Sequence, residues 1–336
     1  MSSSSKKLKI GVIGVGVMGN HHARIYSSLP GVKLAGITDV DEARGKEIAE
    51  KYKTKFYSSV PELLEKVDAV TISTPTFTHY EVGMKAIEAG KHLLIEKPLA
   101  KTLEEGEALV RAAREKNLVL AVGLIERFNP AFLALKRLLV RERPLIIDFK
   151  RRSPFPERIS DVSVVFDMMI HDIDLALAIS QTDPKDFRAE GRKERTKFLD
   201  QAFVNIFFES GLIVNIEASR LDEKKERSIH LNCEESNLDV DLLNKKVFKS
   251  HLPDPTLPLA PVKPNRVAVL IADQLTLELK DFVSAIKRGK EPEVTGEEGL
   301  QALKFALEIE KKALRHSRKR KKAGPEAESL PAENAQ

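Results

Sequence analysis

Cysteine is nearly absent from these 336 residues: Cys233 stands alone, which excludes an intrachain disulfide and leaves no thiol cluster to hold zinc. Long apolar runs are missing as well, with none near the roughly twenty residues that a bilayer-spanning helix needs. The opening Met-Ser-Ser-Ser-Ser-Lys-Lys leads straight into a strand pattern and not into the apolar run of a secretion signal. These absences make the cytoplasm the expected compartment, and they leave membranes and metals out of the expected partners. No internal repeat is found. The end of the chain has little to bury: residues 317 to 336 are basic, then rich in Ala, Glu and Pro, and are expected to form a disordered tail.

What is present is the composition of a water-soluble globular protein, 42% hydrophobic and 31% charged. The chain is too long for one ordinary core, so two domains are expected. Much of the net charge of +5 sits in Arg315, Arg318, Lys319, Arg320, Lys321 and Lys322. A cluster at that place reads as a solvated helix end whose cations complement the helix dipole, and no nucleic-acid partner is inferred from it.

Strand and helix patterns alternate from Leu8 to about Gly123. Apolar strands run from Leu8 to Ile13, Val32 to Thr38, Ala69 to Ser73, His92 to Ile95 and Leu118 to Val122. Helical patterns separate them, one opened by Asp41 as a cap and one by the capping box Thr102-Leu103-Glu104-Glu105. Such alternation builds a parallel sheet covered on both faces. Beyond the helical segment at Pro130 the grammar changes to a succession of alternating strands with one good helix, Phe166 to Ser180, then a proline-rich loop from Pro253 to Pro264 and two last helices. The expected architecture is α/β: an N-terminal Rossmann domain, residues 1–124, followed by an α+β domain, residues 125–316, with a large, mostly antiparallel, open-faced sheet. Phe203, Asn205 and Phe207 alternate with Val204, Ile206 and Phe208, so apolar residues fall on both sides of that sheet, and assembly into a homodimer or homotetramer through its open face is expected.

Three short segments carry chemistry. Gly14-Val15-Gly16-Val17-Met18-Gly19 follows the first strand and opens the first helix. In that setting Gly14 permits a tight turn, Gly16 lets a pyrophosphate approach the backbone, and Gly19 lets helix and strand pack closely. Val17 and Met18 start the helix whose free N–H groups face the phosphates. Asp39 ends the second strand, about 20 residues on, where a carboxylate accepts hydrogen bonds from the ribose hydroxyls and repels a 2′-phosphate. NAD is therefore the expected cofactor, with Arg44 close enough to leave NADP open. Lys97-Pro98 follows the fourth strand at the carboxyl edge of the sheet, where a constrained turn aims the lysine. Asp167 and His171 stand four apart on an apolar helix, a spacing that suits a general base and its orienting carboxylate as well as a structural pair. Asp172 and Asp174 beside them read as structural.

With Ser73-Thr74-Pro75 and His79, Glu96-Lys97-Pro98, and the run from Asp167 through His171 to Asp174 added to the glycine turn, the chain resembles the glucose-fructose oxidoreductase / inositol dehydrogenase / rhizopine catabolism (Gfo/Idh/MocA) family over residues 8 to 315. The resemblance implies Lys97, Asp167 and His171 as the catalytic set, and it puts Thr74, Pro75, His79, Glu96 and Lys97 around the cofactor. Many members carry three glycines before the catalytic Asp, whereas this chain has Asp161-Val162-Ser163-Val164-Val165-Phe166. Its wording at Glu126-Arg127-Phe128-Asn129-Pro130 and Phe166 to Asp174 is most similar to the branch that oxidises the 3-hydroxyl of UDP-N-acetylglucosamine, on the way to diamino sugars of lipid A type. That resemblance implies a sugar or nucleotide-sugar substrate and places Arg127 and Asn129 among its contacts. Lys150, Arg151, Arg152 and Arg158 are candidate cations for a diphosphate, or else a solvated strand edge. A free sugar or polyol such as inositol, the family's NAD-dependent glycosidases and a non-catalytic NAD sensor stay open as alternatives.

Overall fold

The computed structural model describes residues 7–156, 162–252 and 264–322, with 316–322 described by their backbone alone. Strands β1 (Leu8–Ile13), β2 (Val32–Thr38), β3 (Ala69–Ile72), β4 (His92–Glu96) and β5 (Leu120–Gly123) form one parallel sheet in the order β2-β1-β3-β4-β5. Helices α1 (Val17–Ser28), α2 (Glu42–Lys51), α3 (Val60–Leu64), α4 (His79–Glu88) and α5 (Leu103–Glu115) cross between the strands. Local chemistry sets these boundaries. Asp41 caps α2 by accepting the Arg44 N–H at 3.1 Å, and Thr102 and Glu105 close a reciprocal capping box on α5. Every residue of β3 and β5 is buried: β3 is an inner strand covered on both faces, and β5, at the sheet's edge, is met by Val294 and Thr295.

A 3-10 turn, Ile125–Phe128, and helix α6 (Pro130–Leu139) lead into the second sheet. Its strands are β6 (Pro144–Arg152), β7 (Pro184–Arg192), β8 (Gln201–Phe208), β9 (Ile213–Ser219), β10 (Glu226–Cys233), β11 (Ser236–Asp241), β12 (Lys246–His251) and β13 (Asn265–Val267), in the order β13-β12-β11-β10-β6-β9-β8-β7. All neighbours are antiparallel except β6 and β9. One face is covered by α7 (Ile170–Ser180), which continues a π-helical turn at Val165–Met169, and by α9 (Gly296–Lys322). The other face is open, with Phe203 40% and Ile146 36% exposed on it. Val204, Ile206 and Phe208 all point into the core.

Two features depart from the sequence reading. Helix α8 (Gln274–Arg288) packs Leu275, Leu279, Phe282 and Val283 into the same core cluster as Ile10, Val12 and Tyr26, so the chain returns to the first domain after residue 125. Its apolar stripe covers α1, which a linear division of the chain does not convey. The last helix also continues to Lys322, beyond the expected start of a tail at 317, since the basic run consists of good helix formers at the end where cations suit the dipole. The rest of that tail and most of the proline-rich loop lie outside the described residues. No helix among the described residues is long and apolar enough to cross a membrane.

Candidate active site

The glycine turn lies between the ends of β1 and β3. Gly14 has φ +82°, and a Cβ on it would sit 2.8 Å from Thr74 Cγ2. A Cβ on Gly19 would lie 1.9 Å from the Gly14 carbonyl oxygen and 2.5 Å from Ser73 Oγ, so α1 rests on the turn with no room for a side chain. Gly16 has nothing within 4 Å of that position; its backbone faces open space, which is the room a pyrophosphate needs. Asp39 Oδ2 accepts the Val15 N–H at 2.6 Å, Oδ1 accepts the Asp41 N–H at 2.9 Å, and Arg44 Nε donates to the Val15 carbonyl at 2.8 Å. The carboxylate thus ties the end of the second strand to the glycine turn. Large apolar side chains stand exposed along the same carboxyl edge, Val17 at 53%, Val40 at 106% and Phe77 at 69%, where they would flank flat rings.

The loops after β3 and β4 are joined by His79, which is 1% exposed and places Nδ1 2.9 Å from the Pro98 carbonyl and Nε2 2.9 Å from the Thr74 carbonyl. Both ring nitrogens are spent on backbone, so His79 supports the loops and has no free atom for a cofactor. Thr74 stands against Gly14 of the glycine turn, and Pro75 follows it in the chain. The Lys97–Pro98 bond is cis, and Lys97 Nζ reaches across to donate to the Asp167 carbonyl oxygen at 2.7 Å and to face Asp167 Oδ1 at 3.5 Å. Both side chains are about one-fifth exposed, at 22% and 23%.

Asp167 therefore orients the lysine. The π-helical turn breaks the four-residue alignment expected of an α-helix, and no hydrogen bond joins Asp167 to His171 among the described residues. His171 Nδ1 is buried without a partner. Burial first, and then the nearby cations Lys97, Arg151 and Arg227, hold its pKa well below the ordinary histidine value, so the ring is a neutral proton acceptor.

The cations read from the sequence as substrate contacts are mostly committed elsewhere. Arg127 grips Asp174 bidentately at 2.9 and 2.8 Å and reaches Glu298 at 3.1 Å. Arg151 grips Asp172 at 2.8 and 2.7 Å and Glu126 at 2.9 Å. Burial opposes charge on both guanidiniums, but the carboxylates outweigh it and raise their pKa values. Asn129 caps α6 through the Ala131 N–H at 3.0 Å and donates to Glu126 and the Leu242 carbonyl. Arg152 points to the open face of the sheet, where it pairs with Glu217 and Glu226. These four residues are corrected from substrate contacts to internal partners: a sequence shows a cation but not the carboxylate that neutralises it. Two of them, Arg127 and Arg151, fix α7, which carries His171, through Asp174 and Asp172. Arg158 lies outside the described residues.

One cation that sequence reasoning missed faces the cleft. Arg227 on β10 pairs in register with Arg151 on β6, and the alternation that buries Ile229 and Leu231 turns it to the covered face. Its side chain is 44% exposed, its contact with Glu126 is 3.3 Å, and it lies close enough to act electrostatically on His171 and Asp167. A second unforeseen group is buried beneath the lysine turn, where His22, Glu96 and Glu278 bring their polar atoms within 4.8 Å of one another. His22 and Glu278 carry no motif, and only the fold brings them to Glu96.

Residues 8–124 match the family model described as an oxidoreductase family with an NAD-binding Rossmann fold, and residues 147–239 match the GFO/IDH/MocA C-terminal domain. The chain is 36% identical over 303 residues, 90% of its length and 96% of the relative's, to a UDP-N-acetylglucosamine 3-dehydrogenase of Acidithiobacillus ferrooxidans. It is 30% identical over 308 residues, 86% of its length and 89% of the relative's, to a scyllo-inositol 2-dehydrogenase (NAD(+)) of Bacillus subtilis. A solved structure of the UDP-N-acetylglucosamine 3-dehydrogenase from Acidithiobacillus ferrooxidans superimposes with a TM-score of 0.88 at 34% identity, covering 93% of this chain and 99% of that one.

Proposed function

We propose that this chain, which belongs to the Gfo/Idh/MocA family of NAD-binding oxidoreductases, oxidises a secondary hydroxyl of a sugar carried on a nucleotide, with the 3-hydroxyl of UDP-N-acetylglucosamine as its target. The observation that carries the dehydrogenase reading is Lys97 Nζ, anchored 2.7 Å from the Asp167 carbonyl at the carboxyl edge that holds the glycine turn and near enough to act electrostatically on His171, which is held neutral. Gly14, Gly16, Gly19 and Asp39 would hold the dinucleotide, which supplies the hydride acceptor when bound.

His171 takes the proton of the hydroxyl as the carbon–hydrogen bond breaks. Lys97 donates an N–H to the same oxygen and offsets the negative charge that develops on it, while Asp167 holds the ammonium in place. The buried pairs of Asp172 with Arg151 and of Asp174 with Arg127 keep α7 from shifting as charge moves. Arg227 supports the nucleotide-sugar reading, because an exposed guanidinium with one long contact at the mouth of the cleft suits a diphosphate better than a neutral polyol. The 3-keto product of such a reaction is ready for amination, the use that diamino sugars of lipid A type make of it. A second reading, oxidation of a free polyol, is favoured by the identity to the inositol dehydrogenase.

The test is NADH formation from NAD with UDP-N-acetylglucosamine, free N-acetylglucosamine and scyllo-inositol in parallel. Turnover of the UDP sugar is expected to exceed the others, and Arg227→Gln is expected to raise its KM about tenfold or more while leaving the KM for NAD in place. Turnover of inositol alone would replace this reading with the second.

A further inference from the structure

Five of the six buried side-chain polar atoms without a hydrogen-bond partner among the described residues belong to one cluster: both ring nitrogens of His22, Glu96 Oε1 and both carboxyl oxygens of Glu278. His22 stands on α1, the helix opened by the glycine turn; Glu96 ends β4 immediately before Lys97; Glu278 comes from α8, far along the chain. They are 0, 9 and 3% exposed, respectively. His22 Nε2 lies 3.0 Å from Glu96 Oε1, and no lysine or arginine among the described residues pairs with either carboxylate.

We propose that His22, Glu96 and Glu278 share protons as a positioning triad for the Lys97 turn, with Glu278 present as the neutral acid and donating its O–H to the Glu96 carboxylate.

The groups that face the cluster argue for this. From α1 come His22 and Tyr26, whose hydroxyl pairs with Thr71 of β3 at 2.9 Å and whose ring meets His22 edge-on at 6.5 Å. From α8 comes Asp281, from the end of β4 Glu96, and from the loop side His79. None of these supplies a fixed positive charge. Two buried carboxylates this close cannot both be ionised without one, and burial together with Glu96 and Asp281 pushes the Glu278 carboxyl well above its ordinary pKa. A proton solves the problem locally. A divalent cation held by the same three groups, which lie within 4.8 Å of one another, is the competing way to neutralise them, and the metal content of the purified protein decides against or for it.

The proton has a structural consequence. Glu96 Oε2 lies against Gly123, where a Cβ would come within 2.9 Å of it. With His22 on one oxygen and Gly123 behind the other, the Glu278 O–H completes a fixed seat for Glu96, and the next residue is Lys97. An ionised Glu278 would repel Glu96 instead and push the lysine turn toward the cleft.

The test compares full-length wild type with Glu278→Gln and Glu278→Ala. Infrared difference spectra at neutral pH are expected to show a carboxylic-acid carbonyl band in wild type that is missing from Glu278→Gln. The glutamine variant, which keeps a donor and no charge, is expected to retain turnover and melting temperature, while the alanine variant loses turnover roughly tenfold or more. Because the folded pKa of Glu278 is raised, wild type should lose stability relative to Glu278→Gln as pH climbs from the ordinary carboxylate range to the raised value, and level off beyond it. The kinetic arm rests on the reading of Lys97 as a substrate-facing residue; the infrared band and the stability profile do not, so failure of that reading leaves them able to decide. Absence of the band, a glutamine variant as impaired in stability as the alanine variant, or an equivalent of divalent metal in purified wild type would each overturn the proposal.

Discussion

The two glycines at the start of α1 can be separated by experiment, because the structure gives one of them no space and the other nothing but space. A methyl at Gly19 would lie 1.9 Å from the Gly14 carbonyl oxygen. Backbone must move, and Gly19→Ala should lose about 1–3 kcal/mol of stability in the absence of any ligand, the usual penalty of overpacking. A methyl at Gly16 meets nothing within 4 Å, so overpacking adds nothing there; the ligand-free cost of Gly16→Ala is set by its N-cap backbone, φ −59° and ψ −153°, and is about 1 kcal/mol. The same methyl fills the approach of the pyrophosphate. If it weakens NAD a hundredfold, a concentration that was a thousand times Kd for wild type becomes ten times Kd, and the stabilisation by NAD falls from about 4.1 to about 1.4 kcal/mol. The assay is thermal unfolding of both variants with and without NAD. A Gly16→Ala protein that keeps the full NAD-induced shift would refute the assignment of this turn.

Asp39→Ser should weaken NAD and narrow its preference over NADP, since the carboxylate beside the turn is removed while Arg44 stays 2.8 Å from the Val15 carbonyl; an unchanged ratio on titration with both cofactors counts against ribose contact. Lys97→Ala and His171→Ala should each lower kcat by about 10² with little change in NAD affinity. The acid limb of kcat/KM should fall below the ordinary histidine range, because burial and three cations depress the His171 pKa, and Arg227→Gln should move it upward. The stability linked to that depression is fully present above the unfolded pKa and is lost as pH falls through the folded one; a limb at or above about 6.5 would remove His171 as the base. For assembly, Phe207→Glu on the open face should lower solution mass by light scattering, whereas a charge at Phe208, 2% exposed on the opposite face, should unfold the protein; an active wild-type monomer at micromolar concentration would end the idea of association through this sheet.

The glycine turn and the two caps were legible because each is a local device whose partners lie within a few residues or along one strand. Asp41 and Thr102 cap their helices as their neighbours require, and Gly14 adopts the positive φ that its turn demands. The arginines of Glu126-Arg127-Phe128-Asn129-Pro130 and of β6 were misread for the opposite reason. Their partners, Asp174 and Asp172, are 47 and 21 residues away, and a string of cations shows charge without its counter-charge. Helix α8 was placed with the second domain because an amphipathic stripe states that something must be covered and not which surface covers it.

Helix α7 shows why the misreading and the site belong together. With the π-helical turn that leads into it, its sequence offers three acids and a histidine within eight residues, Asp167, His171, Asp172 and Asp174, and spacing alone cannot rank them. The fold sorts them by partner. Asp172 and Asp174 are fully engaged with buried guanidiniums, Asp167 is engaged with Lys97, and His171 Nδ1 has nothing. A proton acceptor must keep a lone pair free, and a buried nitrogen without a partner costs free energy, so it persists only where its surroundings cannot relax to satisfy it. The bidentate pairs on the two aspartates supply that rigidity. Arg127 and Arg151, which sequence assigned to the substrate, thus serve it at one remove, by holding the helix that carries the base.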